Sequence, residues 1–323
     1  MLRRLAPRIL ASIPLLFGVT LLSFLLMHTA QGDFLSSMQL NPQIDPATIE
    51  TARTKFGLNL PWYVQYFKWI AQISRGNFGY SFAYQQPVTE IIGSYVANTL
   101  LLSVTALFLA LIAALPLGIL CAVKRNSWID RAVHLVSSVG VSLPTILLAL
   151  FAVLFAAKTG WFPIGGRERL DAAELGWFAH GRDLLHHLVL PAMVLAVNPA
   201  IVYFRQTRSN LSAVLDDPFI MTARAKGLGP LHILLRHAMR NALNPLISLF
   251  GFSVANLLNG AFLVEIIMSW PGLGRLTYEA LLSRDLYLVM GSLTLASLML
   301  IGGNLLADFL MAWNDPRIKV SSM

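Results

Sequence analysis

Apolar residues in this chain come in long unbroken runs rather than at helical or alternating spacing. Ile9–Met27, Ile91–Val123, Leu135–Ala157, Leu188–Phe204, Asn241–Val264 and Leu286–Ala307 each run for 17 or more residues without Asp, Glu, Lys, Arg or His. A helix rises about 1.5 Å per residue, so about 20 apolar residues cross a hydrocarbon core roughly 30 Å thick. A soluble core helix keeps one polar face, and these runs keep none. The pattern predicts an all-α membrane protein with six transmembrane helices.

Between the first and second runs lies a segment too long for a turn, so the chain divides into residues 1–29, an outer loop domain at 30–97, and a five-helix core at 98–323. Asp45-Pro46 and Gly57 punctuate a short helix: Asp before the first turn, Pro in it, Gly just past the end. After Pro61, the residues Trp62, Tyr66, Trp69, Ile70 and Ile73 recur at helical spacing. That face either packs on the loop domain or lies in the headgroup zone, which Trp and Tyr favour. Pro116 and Pro144 fall inside the second and third runs, and Pro191 and Pro199 inside the fourth, where they predict kinks. Asn198, Asn256 and Asn259 also lie within runs. An amide in hydrocarbon bonds to another helix by default, and a place on a solute pathway is the alternative reading.

The net charge of +8 would suggest nucleic acid in a soluble protein, but its distribution argues otherwise. With the amino terminus in the cytoplasm, 14 basic groups fall in inward segments against Asp130, Asp216, Asp217 and Asp315. The outer side holds the other 10, balanced by carboxylates. This is the positive-inside pattern, with both termini cytoplasmic; no nucleic-acid partner is expected. The first run, at 19 residues, exceeds a signal-peptide core of about 7–15, so it reads as an uncleaved span. Cys121 is the single cysteine, so no disulfide forms within the chain.

The longest inward loop, residues 205–241, carries an internal design. Asp217 is placed to cap, Pro218 to start and Gly227 to stop a helix of about nine residues. Lys226 complements its carbonyl end. Phe219, Ile220 and Ala223 share one face, Thr222 and Lys226 the opposite one, with Arg224 on the flank. Gly229-Pro230 then leads into a second basic amphipathic segment, Leu231–Arg240. Such a helix either rests on lipid headgroups or inserts into a groove on a cytosolic partner.

The run Asp217-Pro218-Phe219-Ile220-Met221-Thr222-Ala223-Arg224-Ala225-Lys226-Gly227-Leu228, with Asn241-Ala242-Leu243-Asn244-Pro245 after it, resembles the inner-loop signature of ABC-importer permeases, peptide and nickel uptake branch. Gly32-Asp33, Gly76-Asn77-Phe78-Gly79-Tyr80-Ser81, Ser142-Leu143-Pro144, Trp270-Pro271-Gly272-Leu273-Gly274-Arg275, Arg284-Asp285 and Asp315-Pro316-Arg317 extend the resemblance over nearly the whole chain. Met221 and Thr222 stand where the general signature has Glu and Ala, and Gln31 and Phe34 depart from its Pro-Gly-Asp-Pro turn. The resemblance implies a type I ABC importer permease fold in the bacterial inner membrane. It implies a second homologous permease, two ATPase subunits that carry ATP and Mg, and an extracytoplasmic substrate-binding protein. Asp217 to Gly227 would then couple to the ATPases, with Ala225 inside that stretch.

This chain has no phosphate loop, no His-Glu-x2-His and no Gly-x-Ser-x-Gly, so neither ATP hydrolysis nor a hydrolase is expected of it. His186-His187 lacks a third metal ligand and reads as an interfacial pair. Glu265, toward the outer end of the fifth run, must face protein or water. Packing at that mouth and solute contact both remain open for it. An ion-gradient-driven secondary transporter is the alternative, disfavoured because no internal repeat and no mid-span charge is found.

Overall fold

The computed structural model describes residues 2–29, 35, 45–174 and 176–314. The Gly32-Asp33 turn and Asp315-Pro316-Arg317 lie outside the described residues. Two compact units are built, one from residues 1–99 and 271–301, the other from 100–270 and 302–323.

The first unit begins with α1 (Leu2–Thr29). Helices α2 (Pro46–Lys55) and α3 (Trp62–Ile73) form where the punctuation predicts them. The Asp45 carboxylate accepts the Ala47 N–H, and Gly57 ends α2 with a φ of +68°. On α3, Tyr66 and Trp69 are buried, and Tyr66 meets Phe17 and Phe24 of α1 edge-on while its hydroxyl pairs with Thr20 at 2.9 Å. Trp62, Tyr63 and Phe67 stay exposed. The buried part of this face thus packs on α1 rather than on the loop domain, and an aromatic flank stays outward.

A two-stranded hairpin follows, β1 (Tyr80–Ser81) against β2 (Gln86–Pro87), and leads into α4 (Val88–Val123). Two later elements of the unit, α12 (Leu273–Leu282) and the start of α13 (Leu286–Asn314), enclose a buried carboxylate. Asp285 accepts the Ser81 hydroxyl at 2.7 Å and the Ala83 N–H at 3.0 Å on one oxygen, and the Leu288 N–H at 3.2 Å on the other. Tyr84 donates to Glu279 at 3.0 Å; burial, Tyr95 and that carboxylate all push its hydroxyl up from the usual tyrosine range, so the proton stays in place.

The second unit holds most of α4, then α5 (Trp128–Ser142), α6 (Thr145–Thr159), α7 (Trp177–Leu215), α8 (Pro218–Ala225), α9 (Pro230–His232), α10 (Met239–Ala242) and α11 (Asn244–Ile267). Between α9 and α10, within the basic amphipathic segment Leu231–Arg240, Ile233–Ala238 is a π-helical turn. The core joins small and large apolar side chains of α4, α6, α7 and α11, Ala106, Ala149, Leu195 and Val264 among them.

Among the described residues, four helices are long and apolar enough to cross a membrane: α1, α4, α7 and α13. Most of the fifth apolar run lies in the 24-residue α11. The third run, expected as one kinked span, is instead a pair, α5 and α6, bent by 102°. The residue before a proline is driven out of the helical region, and Leu143 adopts φ −87° and ψ 121° in front of Pro144. Pro144 therefore starts α6 rather than kinking a continuous helix. Pro116 and Pro191, by contrast, sit inside unbroken helices.

Candidate functional site

The inner-loop helix is shorter than expected by about a residue: α8 spans Pro218–Ala225, eight residues. Pro218 occupies its first turn, where a missing N–H costs nothing. The expected side-chain cap is not formed; the Asp217 backbone carbonyl accepts the Ile220 N–H at 3.0 Å instead. At the other end Ala225 is the last helical residue and Lys226 the C-cap, and the chain turns out through Gly227 at φ +77°. Leu228 donates back to the Ala223 carbonyl, closing a left-handed cap.

The apolar face is divided. Ile220 is fully buried and Ala223 nearly so, in a cluster with Ala122, Leu211, Ile233, Ala238 and Ala242. Phe219, expected beside them, is 41% exposed, and Met221 is 62% exposed. Thr222, Arg224, Ala225 and Lys226 are exposed as well. The reason is geometric: neighbours at i and i+3 cover one face, and Phe219 lies 100° from Ile220 around the axis. One edge of α8 is thus welded to its own protein through α4, α7 and the π-helical turn. The other edge presents two large apolar side chains, a hydroxyl and two cations. A cavity of about 450 Å³ opens beside it, lined by Leu215, Arg224, Leu228, Leu231 and Leu234.

Two ion pairs stand close by. Arg208 grips Asp130 with both arms of its fork, Nε to Oδ1 at 2.6 Å and Nη2 to Oδ2 at 2.8 Å. Arg125 reaches Asp216 at 2.6 Å, next to the start of α8. Neither was singled out from sequence, where all four residues counted only toward loop charge; no spacing rule links residues 78 and 91 positions apart.

The four pathway candidates occupy different environments. Asn198 donates to the Thr145 hydroxyl at 3.2 Å, tying α7 to the start of α6. Asn256 is exposed on α11. Asn259 is on the same helix, its side chain outside the described residues. Glu265 is fully buried two residues before the end of α11, so it faces protein. Of the two adjacent histidines, His187 is buried with Nδ1 2.9 Å from the Asp183 carbonyl, and His186 reaches the Trp161 carbonyl at 2.8 Å. No cluster able to hold a metal occurs among the described residues.

Comparison with known proteins gives this arrangement a lineage. Residues 114–320 match the family of binding-protein-dependent transport system inner membrane components, and residues 1–105 match the amino-terminal component of the same systems. The oligopeptide transport system permease protein AppB of Bacillus subtilis is 40% identical over 314 residues, covering 97% of this chain and 98% of that one. The di/tripeptide transport system permease protein DppB of Pseudomonas aeruginosa is 36% identical, with 99% of each chain covered. The glutathione transport system permease protein GsiC of Shigella flexneri is 34% identical, again over 99% of each. Among solved structures, an inward-facing MetNI methionine ABC transporter aligns with a TM-score of 0.50 at 20% identity, over 68% of this chain and 96% of that one. That last likeness speaks for the fold alone. The chain belongs to the binding-protein-dependent transport system inner membrane component family and is a multi-pass permease subunit of an ABC importer, not itself an enzyme.

Proposed function

We propose that this permease passes peptides or similar small solutes across the bacterial inner membrane as one half of a paired pathway. A second homologous permease supplies the other half, two ATPase subunits bind ATP and Mg on the cytosolic side, and an external binding protein delivers the cargo. The named substrates of the relatives, oligopeptides, di- and tripeptides and glutathione, share an amide backbone with charged ends, which supports a peptide-class solute. The excess of basic groups in the inward segments supports an amino terminus and an α8 on the cytosolic side.

The observation that carries the reading is the division of α8 into a sealed edge and an offered edge. A helix of eight residues has little stability of its own. Welded at Ile220 and Ala223, it becomes a rigid knob at the end of the 39-residue α7. Phe219, Met221, Thr222, Arg224 and Lys226 meet the ATPase, and closure of the ATPases on ATP pushes the knob and α7 together. Asn198, Asn256, Asn259 and Glu265 remain candidates for the solute path, with Asn198 and Asn256 exposed and Glu265 buried.

Replacement of Gly227 by Val tests this. No atom lies within 4 Å of a Cβ built there, so the change adds no clash; it only forces a β-branched residue to φ +77°. Left-handed backbone costs such a residue about 1–2 kcal/mol, enough to loosen the cap without unfolding the unit. The expected outcome is wild-type abundance, persistent ATP hydrolysis by the complex, and lost uptake. Normal uptake by Gly227→Val at normal abundance would count against α8 as the coupling element.

A further inference from the structure

One stripe of α7 holds the whole of α5. Asn198, Ile201, Arg205 and Arg208 follow one another at steps of three, four and three, which places them on a single helical face. Their partners run the other way along the bent span. Asn198 bonds Thr145, and Ile201 lies so close to α5 that a Cβ on Gly140 would meet its Cδ1 at 2.7 Å. Arg205 donates to the Ser138 hydroxyl at 3.1 Å, and Arg208 holds Asp130. The contacts at Gly140 and Thr145 straddle the 102° break, so α7 splints both sides of it.

The last contact in the series differs in kind from the others. The Asp130 carboxylate is 4% exposed and takes the Arg208 fork on both oxygens; it also accepts the Asn126 N–H at 3.0 Å, from the turn before α5. Arg208 lies seven residues, about two turns, before the end of α7, and α8 begins just beyond. The exposed Arg125–Asp216 pair, at 50% and 67% exposure, adds little to this joint. Arg208 keeps 25% of its side chain exposed, and an ion pair so largely buried is a poor device for stability alone, since apolar residues of the same volume serve as well. What a bidentate pair does supply is fixed geometry in two directions, a joint that neither slides nor rotates.

We propose that Asp130 and Arg208 are positioning residues for transport: their ion pair locks α5 to α7, so that displacement of α8 reaches the bent α5–α6 span instead of being lost in the turn at residues 124–127. This rests on the reading of α8 as the ATPase contact. The lock touches neither solute nor nucleotide. It determines how much of the stroke delivered to α7 moves its neighbour.

The test uses the permease assembled with its companion chains in vesicles, with peptide uptake and ATP hydrolysis measured on the same preparation. Asp130→Asn keeps the shape and an acceptor for Asn126 but removes the charge. Uptake per ATP consumed is expected to fall about tenfold, within the range of coupling between separate sites, while hydrolysis persists. Arg208→Lys keeps charge without the fork and gives a smaller fall. The double variant D130N/R208Q does no worse than Asp130→Asn, because both changes break one link. A Met221→Cys crosslink to the ATPase is run in parallel. If it is absent from the parent protein, the α8 reading fails and the lock with it. If it forms and uptake per ATP is unchanged in Asp130→Asn, the lock alone is overturned; so it is if abundance, hydrolysis and uptake all fall in proportion.

Discussion

Two glycines with positive φ separate residues that build from residues that act. Gly79 has φ +98°, and a Cβ placed on it would sit 2.8 Å from the Tyr287 ring. Gly227 has φ +77° and open space around it. Gly79→Ala therefore suffers about 1–2 kcal/mol of backbone strain and about 1–3 more of overpacking, which lowers the melting midpoint of the purified protein as well as its yield. An unchanged midpoint for Gly79→Ala would mean that Tyr287 relaxes freely. The same reasoning makes Asp285 a structural acid. Asp285→Ala strands one hydroxyl and two backbone N–H groups, each costing about 1–3 kcal/mol when buried, so misfolding rather than a kinetic defect is expected on size-exclusion chromatography. The sequence displays Gly79 and Asp285 only as members of recognisable strings. What they do depends on partners 208 and 204 positions away, which no local pattern encodes.

At the level of single helices, punctuation was readable and orientation was not. Asp45-Pro46 with Gly57, and Pro218 with Gly227, set the ends of α2 and α8 through backbone chemistry that is local to those residues. Which way α8 faces is a different matter. Phe219, Ile220, Met221 and Ala223 spread apolar surface around most of an eight-residue cylinder, and the choice is made by Leu211, Ile233 and Ala122, distant in sequence. Likewise Pro144 predicts a kink inside one span, but a full break at 102° depends on how α7 splints both halves. The π-helical turn at Ile233–Ala238 has no sequence signature of its own. A pair of substitutions reads out the orientation. Ile220→Ala removes fully buried volume at a cost of about 2–5 kcal/mol and should deplete the protein from the membrane. Met221→Ala, on the exposed edge, should leave abundance intact and weaken uptake alone. Equal effects on abundance from both would erase the distinction between sealed and offered edges.

Taken as a whole, the chain uses its charge to choose a side and its apolar runs to cross. Long faces of α1, α4 and α6, with Leu22, Phe108, Ile112, Phe151 and Leu154 exposed, are what hydrocarbon or a companion helix covers. In the orientation proposed above, the 14 basic groups of the inward segments act against translocation, each resisting transfer through a core that penalises charge by about 2.5–3.5 kcal/mol per residue. The sum far exceeds thermal energy, so the inner and outer segments should not exchange sides. The chain also carries a convenient instrument for checking this. Cys121 is its only cysteine and is completely buried, so an introduced thiol can be labelled over a low background. Asn59→Cys, exposed between α2 and α3, should react with a membrane-impermeant maleimide on intact cells. Met221→Cys on α8 should react only once the inner membrane is opened, and should be protected when the ATPase subunits are bound. Labelling of Met221→Cys from outside intact cells would invert the topology, and with it the side from which the energy for transport arrives.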